Sequence, residues 1–351
     1  MGKDKIKSLF GIGMMILAIL VASAFKSAQA AEKVEDFYKG NNIKFIVPYA
    51  PGGGYDSWAR GLAPYLKKYT GANIVVENWE GAGGLVGGGQ LYTVSKPDGL
   101  TIGIISTSGM ILTEIMGFEG VKYELAKFSH IGRVAQEWWG LFTSKPSGFK
   151  TVQDMQKATK PIRLSGVDPS TQTGVSSALF LEAFGLKGKL VVGYKGSPQM
   201  MVALIAGKEI DGFIVSLPVS EQYLKAGQVY MAAQMGSKRC PRYPEIPTLL
   251  ETPGLPAEGK KMLELLAILA ESGRMVVAPP GTPKDRVAFL EKALMASVKE
   301  PALIEWSGKQ GMEISPLSGE ESKTLITRLL QIVPPEERPK FKHIVMEKYL
   351  P

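Results

Sequence analysis

Three consecutive glycines, Gly52 to Gly54, lie between an apolar segment and a stretch with helical periodicity. Glycines at such a junction let backbone N–H groups converge. The first N–H groups of a helix have no partner inside the helix, and this end carries a partial positive charge. The loop is therefore suited to holding an anion, which a phosphate, a reaction intermediate or a passive ligand could supply. A tight turn without a ligand is the structural alternative.

The nucleotide-binding motifs are incomplete. The Walker sequence requires a lysine followed by serine or threonine, and no lysine follows Gly54. The dinucleotide motif G-x-G-x-x-G is approached at Gly81, but Val86 occupies its last position. The sequence therefore gives poor support to nucleotide binding.

Two further segments have the same character as the first glycine loop. A glycine-rich stretch, Glu77 to Gln90, follows the next predicted strand, and the third predicted strand ends in STSG at residues 106–109. Carboxyl ends of neighbouring parallel strands share one edge of a sheet, so these segments would form a neutral rim of N–H groups and hydroxyls. Such a rim suits a carboxylate. Three or four hydrogen bonds of about 1.5–3 kcal/mol each correspond to micromolar binding after ordering costs.

Residues for covalent or metal chemistry are scarce. Cys240 is the sole cysteine and His130 and His343 are the sole histidines, so neither a disulfide nor a Cys/His zinc site can form within the chain. The sequence contains no G-x-S-x-G motif, and neither histidine lies in a setting typical of a Ser-His-Asp triad. We expect no cofactor and no catalysis.

The net charge of +8 does not indicate that the protein binds nucleic acid. Residues 1–30 contribute +3, from four lysines and one aspartate, and the remaining +5 is spread over the rest of the chain. That N-terminal segment combines a basic start, an apolar run from Leu9 to Ala24 and the small-x-small sequence AQA at residues 28–30. It is typical of a signal peptide that is cleaved after export to the periplasm. The alternative is an uncleaved membrane anchor. It requires about 20 apolar residues, and the run from Leu9 to Ala24 has 16.

Short apolar runs alternate with helical patterns along the remaining chain, which predicts an α/β protein with parallel sheets and helices on both faces. A helix follows the glycine loop and stops at Gly71, and another has Ser197 as its N-cap and Gly207 as its stop. Ser318 and Glu321 form a capping box for a later helix. The predicted strands are Ile43–Tyr49, Ala72–Trp79, Leu100–Thr107, Ile162–Val167, Lys189–Tyr194, Ile210–Ser216 and Val229–Met235.

Five segments follow one another along the chain in an order that is typical of one protein family. They are FIVPYAPGGGYDSWARGLAPYL, VVENWEGAGG, KPDGLTIGI, VVGYKGSPQMMVALIAGKEIDGFIVSLP and APPGTPKDRV. Between about Ile43 and Val333 the chain resembles the substrate-binding proteins of tripartite tricarboxylate transporters, the Bug-type family. The resemblance implies a type II periplasmic binding protein, with two α/β lobes and a hinge around a ligand cleft. We expect residues 42–135 and 240–351 in lobe 1 and residues 136–239 in lobe 2.

The resemblance also implies a function. A monomeric, exported protein would capture a small organic carboxylate by lobe closure and deliver it to a two-component membrane permease. An enzyme on the same scaffold and a protein that presents its ligand to a sensor are the alternatives. The ligand-binding positions that the resemblance implies are Gly53, Gly54, Tyr55, Asp56, Gly83, Gly84, Ser106, Thr107, Ser165, Ser170, Thr171, Tyr194 and Ser216.

The chain departs from the family pattern at several positions. Trp79 stands where the family usually has arginine, no histidine lies near Gly174, and Tyr55 replaces a smaller residue. In the adjacent pair Trp138 and Trp139 at most one side chain can face the cleft, because neighbouring strand residues point to opposite faces. Tyr55 together with one tryptophan favours an aromatic or bulky apolar carboxylate. Asp56 either caps a helix or contacts the ligand.

Overall fold

The computed structural model describes residues 33–310 and 312–350, so the predicted signal peptide at residues 1–30 lies outside the described residues. The chain divides into a unit that ends at Phe37 and a compact unit from Tyr38 onward. Helix α1, Val34–Tyr38, reaches the boundary between them. Within the described ranges, no helix is both long and apolar enough to cross a membrane. The following description concerns the larger unit.

The first sheet has six strands, in the order β11-β4-β10-β3-β1-β2. Strand β1 is parallel to β2 and β3, whereas β10 is antiparallel to both β3 and β4, and β11 is antiparallel to β4. The six strands are β1 (Asn42–Val47), β2 (Asn73–Asn78), β3 (Thr101–Ser106), β4 (Ser129–Ala135), β10 (Arg274–Ala278) and β11 (Leu317–Ser318).

The second sheet has five strands, in the order β7-β6-β8-β5-β9. Strand β6 is parallel to β7 and β8, and β5 is antiparallel to β8 and β9. The five strands are β5 (Trp139–Ser144), β6 (Ile162–Ser165), β7 (Gly188–Val191), β8 (Gly212–Ser216) and β9 (Val229–Met235).

The prediction of parallel sheets is correct for β1 to β3 and for β6 to β8, but wrong for the sheets as a whole, since both are mixed. The chain passes from the first sheet to the second in three residues, 136–138, and returns between β9 and β10. Strands β5 and β10 therefore enter their sheets from the other sheet. A helical crossover within one sheet makes the next strand parallel to its neighbour. Neither β5 nor β10 is preceded by such a crossover, so both can be antiparallel. The sequence prediction lacked β4, β5 and β10, which flank the two crossings, and also the two-residue β11.

Helix ends agree in part with the sequence prediction. Gly71 ends helix α2 (Gly54–Thr70) with φ 73° and Gly207 ends helix α7 (Ser197–Ala206) with φ 62°, a left-handed conformation that glycine adopts without steric cost. The capping box of Ser318 and Glu321 is present. The N-cap of α7 is Gly196 and not Ser197, which is already the first helical residue.

Helices and short helical turns connect the strands. Short 3₁₀ turns occupy Ala82–Gly84, Leu125–Lys127 and Leu249–Glu251, and a π-helical turn occupies Ile344–Lys348. The helices are α2 (Gly54–Thr70), α3 (Leu85–Thr93), α4 (Thr107–Ile115), α5 (Val152–Gln156), α6 (Gln172–Ala183), α7 (Ser197–Ala206), α8 (Leu217–Lys225), α9 (Ala257–Ser272), α10 (Lys284–Ser297), α11 (Pro301–Lys309), α12 (Gly319–Leu329) and α13 (Arg338–His343).

Candidate ligand-binding site

A cavity of about 490 Å³ lies between the two sheets, at the edge where their parallel strands end. The first sheet lines it with the segments that follow β1, β2 and β3, and the second sheet with those that follow β6, β7 and β8. The antiparallel strands β5 and β10 reach the same edge with their amino ends. Trp139 and Arg274 therefore join the lining.

Within the described part of the chain, six helices begin at this cavity. Each helix N-terminus has unpaired N–H groups and a partial positive charge, so six of them at one cavity are an arrangement suited to an anion. Thr171 accepts a hydrogen bond from Gly174 N–H, and the other five N-cap residues make no side-chain cap. The N-cap residues that line the cavity are Gly53 (α2), Gly84 (α3), Ser106 (α4), Thr171 (α6), Gly196 (α7) and Ser216 (α8).

Two of the glycine positions leave no space for a larger residue. A Cβ at Gly84, where φ is +101°, would lie 2.8 Å from the Tyr49 ring. A Cβ at Gly54 would lie 2.6 Å from Arg274 Nη2. The glycines therefore let the loop backbones approach the cavity side chains.

The structure brings nine of the thirteen sequence-predicted site residues to the cavity wall. Four others do not line it, and their polar groups are engaged within the protein. The nine are Gly53, Gly54, Tyr55, Gly83, Gly84, Ser106, Thr171, Tyr194 and Ser216, and the four are Asp56, Thr107, Ser165 and Ser170.

Asp56 holds the first glycine loop in place. Its carboxylate accepts from Gly52 N–H and Arg60 Nε, both at 3.0 Å, and from Asn78 Nδ2 at 3.0 Å. Burial raises the pKa of this carboxyl, but the hydrogen bonds from Arg60, Gly52 and Asn78 outweigh burial and leave the pKa below its usual value. These contacts give Asp56 a structural role in the loop, but it does not cap the helix, whose N-cap is Gly53.

The hydroxyls of the other three residues are committed to protein partners. Thr107 Oγ1 donates to the Gly273 carbonyl, and Ser165 Oγ contacts Met200 Sδ at 3.4 Å. Ser170 Oγ donates to Asp168 Oδ1 at 2.7 Å.

A buried ion pair at the cavity wall was missed by the sequence prediction. Arg274, the first residue of β10, pairs with Glu137 in the crossing between β4 and β5, and their side chains are 3% and 5% exposed. Arg274 Nη1 also lies 3.3 Å from the Gly54 carbonyl, and its guanidinium stands 4.7 Å from the centre of the Tyr55 ring. A charged residue directly before the apolar run MVVA was the available sequence signal.

Aromatic side chains form much of the remaining wall. Tyr49 and Tyr55 have ring centres 4.7 Å apart, and Trp139 and Tyr194 lie on the second-sheet side. Trp138 faces away from the cavity and donates from Nε1 to Glu313 Oε2 at 2.5 Å. Burial raises the pKa of Tyr49 and of Tyr55 well above the usual tyrosine value, so both hydroxyls stay protonated.

Two mixed sheets with packed helices and a cavity between the strand ends are the architecture of the periplasmic binding protein class. The structure of periplasmic binding protein BugD covers 88% of this chain and 98% of its own, with a TM-score of 0.73 and 25% identity. The sequence profile described as Tripartite tricarboxylate transporter family receptor matches residues 58–332, and the chain belongs to that family.

Two curated relatives are similar over most of their length. A UPF0065 protein from the tcbD-tcbE intergenic region of Pseudomonas sp. (strain P51) is 27% identical over 309 residues, which is 87% of this chain and 88% of its own. Protein BugT of Bordetella pertussis is 26% identical over 305 residues, or 85% of this chain and 88% of its own. The Bug-type resemblance read from the sequence is thereby confirmed.

Proposed function

We propose that the protein captures a small organic carboxylate in the cavity between the sheets and delivers it to a two-component membrane permease. The convergence of six helix N-termini on one cavity is the observation that carries this proposal, because it supplies N–H donors and partial positive charge where a carboxylate would sit. The N-terminal 30 residues would serve as the export signal.

Two neighbours of the same fold support a carboxylate ligand. MatC from Rhodopseudomonas palustris with bound malate has a TM-score of 0.70 at 21% identity, and R. palustris Rpa4515 with adipate has a TM-score of 0.71 at 22% identity. These structures cover 87% of this chain each. Both bound molecules are aliphatic dicarboxylates.

The proposed mechanism is closure of two lobes about a hinge. Lobe 1 comprises residues 42–135 and 240–351, and lobe 2 comprises residues 136–239. Each lobe supplies part of the donor set, so only the closed form makes every ligand contact and the ligand shifts the population toward it. The glycine loop at Gly83 and the N-cap at Thr171 come from different sheets and approach each other, as closure requires.

The body of the ligand would be aromatic or bulky and apolar. The cavity is larger than a short dicarboxylate needs, and Tyr49, Tyr55, Trp139 and Tyr194 line it. Flat rings stack well against such side chains.

A thermal-shift screen of the mature protein against carboxylates, phosphate esters and neutral sugars tests the binding step. A carboxylate present at 100 times its Kd should add roughly 2.7 kcal/mol of stability. Stabilisation by sugars or phosphate esters alone would contradict the proposal. Ligand recovered unchanged after incubation agrees with binding, whereas turnover would favour an enzyme.

Delivery to a permease is tested separately, in cells that lack the protein. Uptake of the radiolabelled ligand should fall to background and return when the gene is restored. Normal uptake combined with a lost response to the ligand would favour the sensor alternative.

A further inference from the structure

A second concave surface, an open groove of about 950 Å³, lies at the other edge of the second sheet. Pro161 precedes β6, Lys189 is the second residue of β7 and Asp211 precedes β8, so the groove lies at the amino ends of these parallel strands. The ligand cavity lies at their carboxyl ends. Strands β6 and β7 have four residues each, which separates the two surfaces by roughly 13 Å.

Positive charge is concentrated in the part of the chain that forms the second sheet. Residues 136–239 contain twelve lysines and arginines against seven aspartates and glutamates, a net charge of +5. In residues 31–135 and 240–351 together, 25 lysines and arginines balance 25 aspartates and glutamates. The net charge beyond residue 30 is therefore not evenly spread, because all of it belongs to the span that carries the groove.

Three lysines of the groove are available to a partner. Lys157, Lys160 and Lys189 line the groove and are exposed, and none of them forms an ion pair within the described chain. Lys157 attracts the Asp154 carboxylate only over a longer distance. Three unpaired cations on one concave surface repel one another and create a positive potential over it, which an acidic partner would relieve.

The two acidic residues of the groove are held by other groups of the protein. Asp211 accepts from Arg163 Nη2 at 2.6 Å and from the Arg163 backbone N–H at 2.8 Å. Asp154 accepts from the backbone N–H groups of Lys150 and Thr151, both at 2.9 Å, as part of the capping box of α5. These carboxylates therefore stabilise the groove's own framework and leave its lysines without a close partner.

The groove also has an apolar part, formed by Pro146, Phe149, Ala158 and Pro161. Phe149 is half-buried and packs against the hydrophobic core, which holds its ring in place. A concave surface that combines apolar walls with unpaired cations suits a peptide segment with acidic and apolar side chains. A bilayer surface is flat and does not enter a groove of this kind.

We propose that this groove is a docking surface for an acidic segment of a partner protein. Carboxylates of the segment pair with Lys157, Lys160 and Lys189, and an apolar side chain of the segment packs on Phe149. Because the groove and the ligand cavity lie at opposite edges of the second sheet, the segment binds whether or not the cavity is occupied. The inference goes beyond the proposed function and does not depend on it.

A fluorescein-labelled peptide of four Glu-Glu-Phe repeats tests the surface by fluorescence anisotropy with the mature protein. It should bind with a Kd below about 100 μM at about 50 mM salt, and at least tenfold more weakly at about 500 mM, where exposed charges are screened. A peptide of four Ser-Ser-Phe repeats lacks the charges and should not bind. Absence of acidic-peptide binding at low salt, or equal binding of the neutral peptide, would overturn the proposal.

Charge reversal assigns the binding to the groove. Lys157→Glu with Lys160→Glu should weaken binding of the acidic peptide at least tenfold, and the neutral pair Lys157→Gln with Lys160→Gln at least threefold. The control, Lys292→Glu with Lys299→Glu, makes the same change in net charge at exposed positions outside the groove and should alter the affinity less than twofold. Equal losses in the groove and control variants would show that net charge alone matters, and the proposal would fail.

Two further measurements separate this surface from a membrane and from the ligand cavity. Vesicles of phosphatidylglycerol and phosphatidylethanolamine should not sediment the protein at the salt concentration at which the peptide binds. Vesicle binding that is lost in Lys157→Glu with Lys160→Glu, without peptide binding, would assign the groove to a membrane surface instead. The thermal shift caused by a carboxylate should be the same in the groove variants and the unmodified protein, and its loss in those variants alone would contradict the separation of the two surfaces.

Discussion

Gly83 and Thr171 meet across the cavity, although one follows a strand of the first sheet and the other follows a strand of the second. A Cβ at Gly83 would lie 2.5 Å from Thr171 Cγ2, closer than real Cβ contacts allow. Gly83 also has φ +64°, a conformation that other residues rarely adopt. The close approach of the two loops therefore depends on glycine at this position.

Gly83→Ala should prevent that approach and weaken ligand binding at least tenfold, measured by calorimetry with the best carboxylate. Gly117→Ala is the control, because Gly117 has φ +59° but a Cβ added there would have no neighbouring atom within 4 Å. Both variants share the backbone strain of about 1 kcal/mol. Equal loss of affinity in the two would show that strain, and not the contact with Thr171, matters.

The adjacent tryptophans should separate binding from stability. Trp139→Phe removes one ring of an aromatic side chain in the cavity wall and should lower carboxylate affinity about two- to tenfold, since an aromatic contact contributes roughly 0.5–1.5 kcal/mol. Trp138→Phe removes the donor to Glu313 and should lower the free energy of unfolding by roughly 1–2 kcal/mol with little effect on affinity. Calorimetry and urea unfolding of both variants give the comparison, and the reverse pattern would contradict the assignment of Trp139 to the cavity.

Arg274→Ala leaves the Glu137 carboxylate buried without its partner. Loss of one member of a buried pair typically costs about 3–5 kcal/mol, so the midpoint of urea unfolding should fall sharply. The double variant Arg274→Met with Glu137→Gln removes both charges and should recover most of this stability. If the double variant is as unstable as the single one, packing of Arg274 on Tyr55, and not the charge, is responsible.

His130 should make the protein less stable in mild acid. Burial lowers the pKa of His130 to about 4, and its Nε2 donates to the Leu125 carbonyl at 3.0 Å. The unfolded chain, with a histidine pKa near 6.5, binds a proton that the folded chain refuses, so stability is full above about pH 6.5 and falls as the pH drops toward 4. The loss should be up to about 3 kcal/mol.

The two histidines offer a matched comparison for this pH dependence. His130→Gln keeps a donor for Leu125 but cannot be protonated, and it should flatten the stability difference between pH 7.5 and pH 5 in urea unfolding. His343→Gln, at an exposed position, should retain the full difference. A pH dependence that survives in His130→Gln would assign it to other groups.

Local sequence signals predicted the elements that begin and end within a few residues. The glycine stops of α2 and α7, the capping box of α12 and seven of the strands could be read directly, since each depends on neighbouring residues. The first glycine loop and the segment STSG were predicted to hold an anion on the same grounds, and the structure places Gly54 and Ser106 at one cavity.

The antiparallel strands could not be predicted in this way. Strands β5 and β10 take their direction from crossings between sheets, and Arg274 lies 220 residues from its Gly54 contact. Their cavity residues, Trp139 and Arg274, follow from that direction alone. Which serines face the cavity was equally undetermined, because Ser165 and Ser216 both end a strand yet only Ser216 lines the wall.

The sequence by itself determined the glycine loops, the helix starts and the membership of a transporter receptor family, because these depend on residues close together in the chain. Only the tertiary structure decided that six helix N-termini face one cavity and that Glu137 neutralises Arg274 there. These features arise where segments far apart in the chain are packed together, and the free energy of burying charges and polar groups depends on all of those neighbours at once.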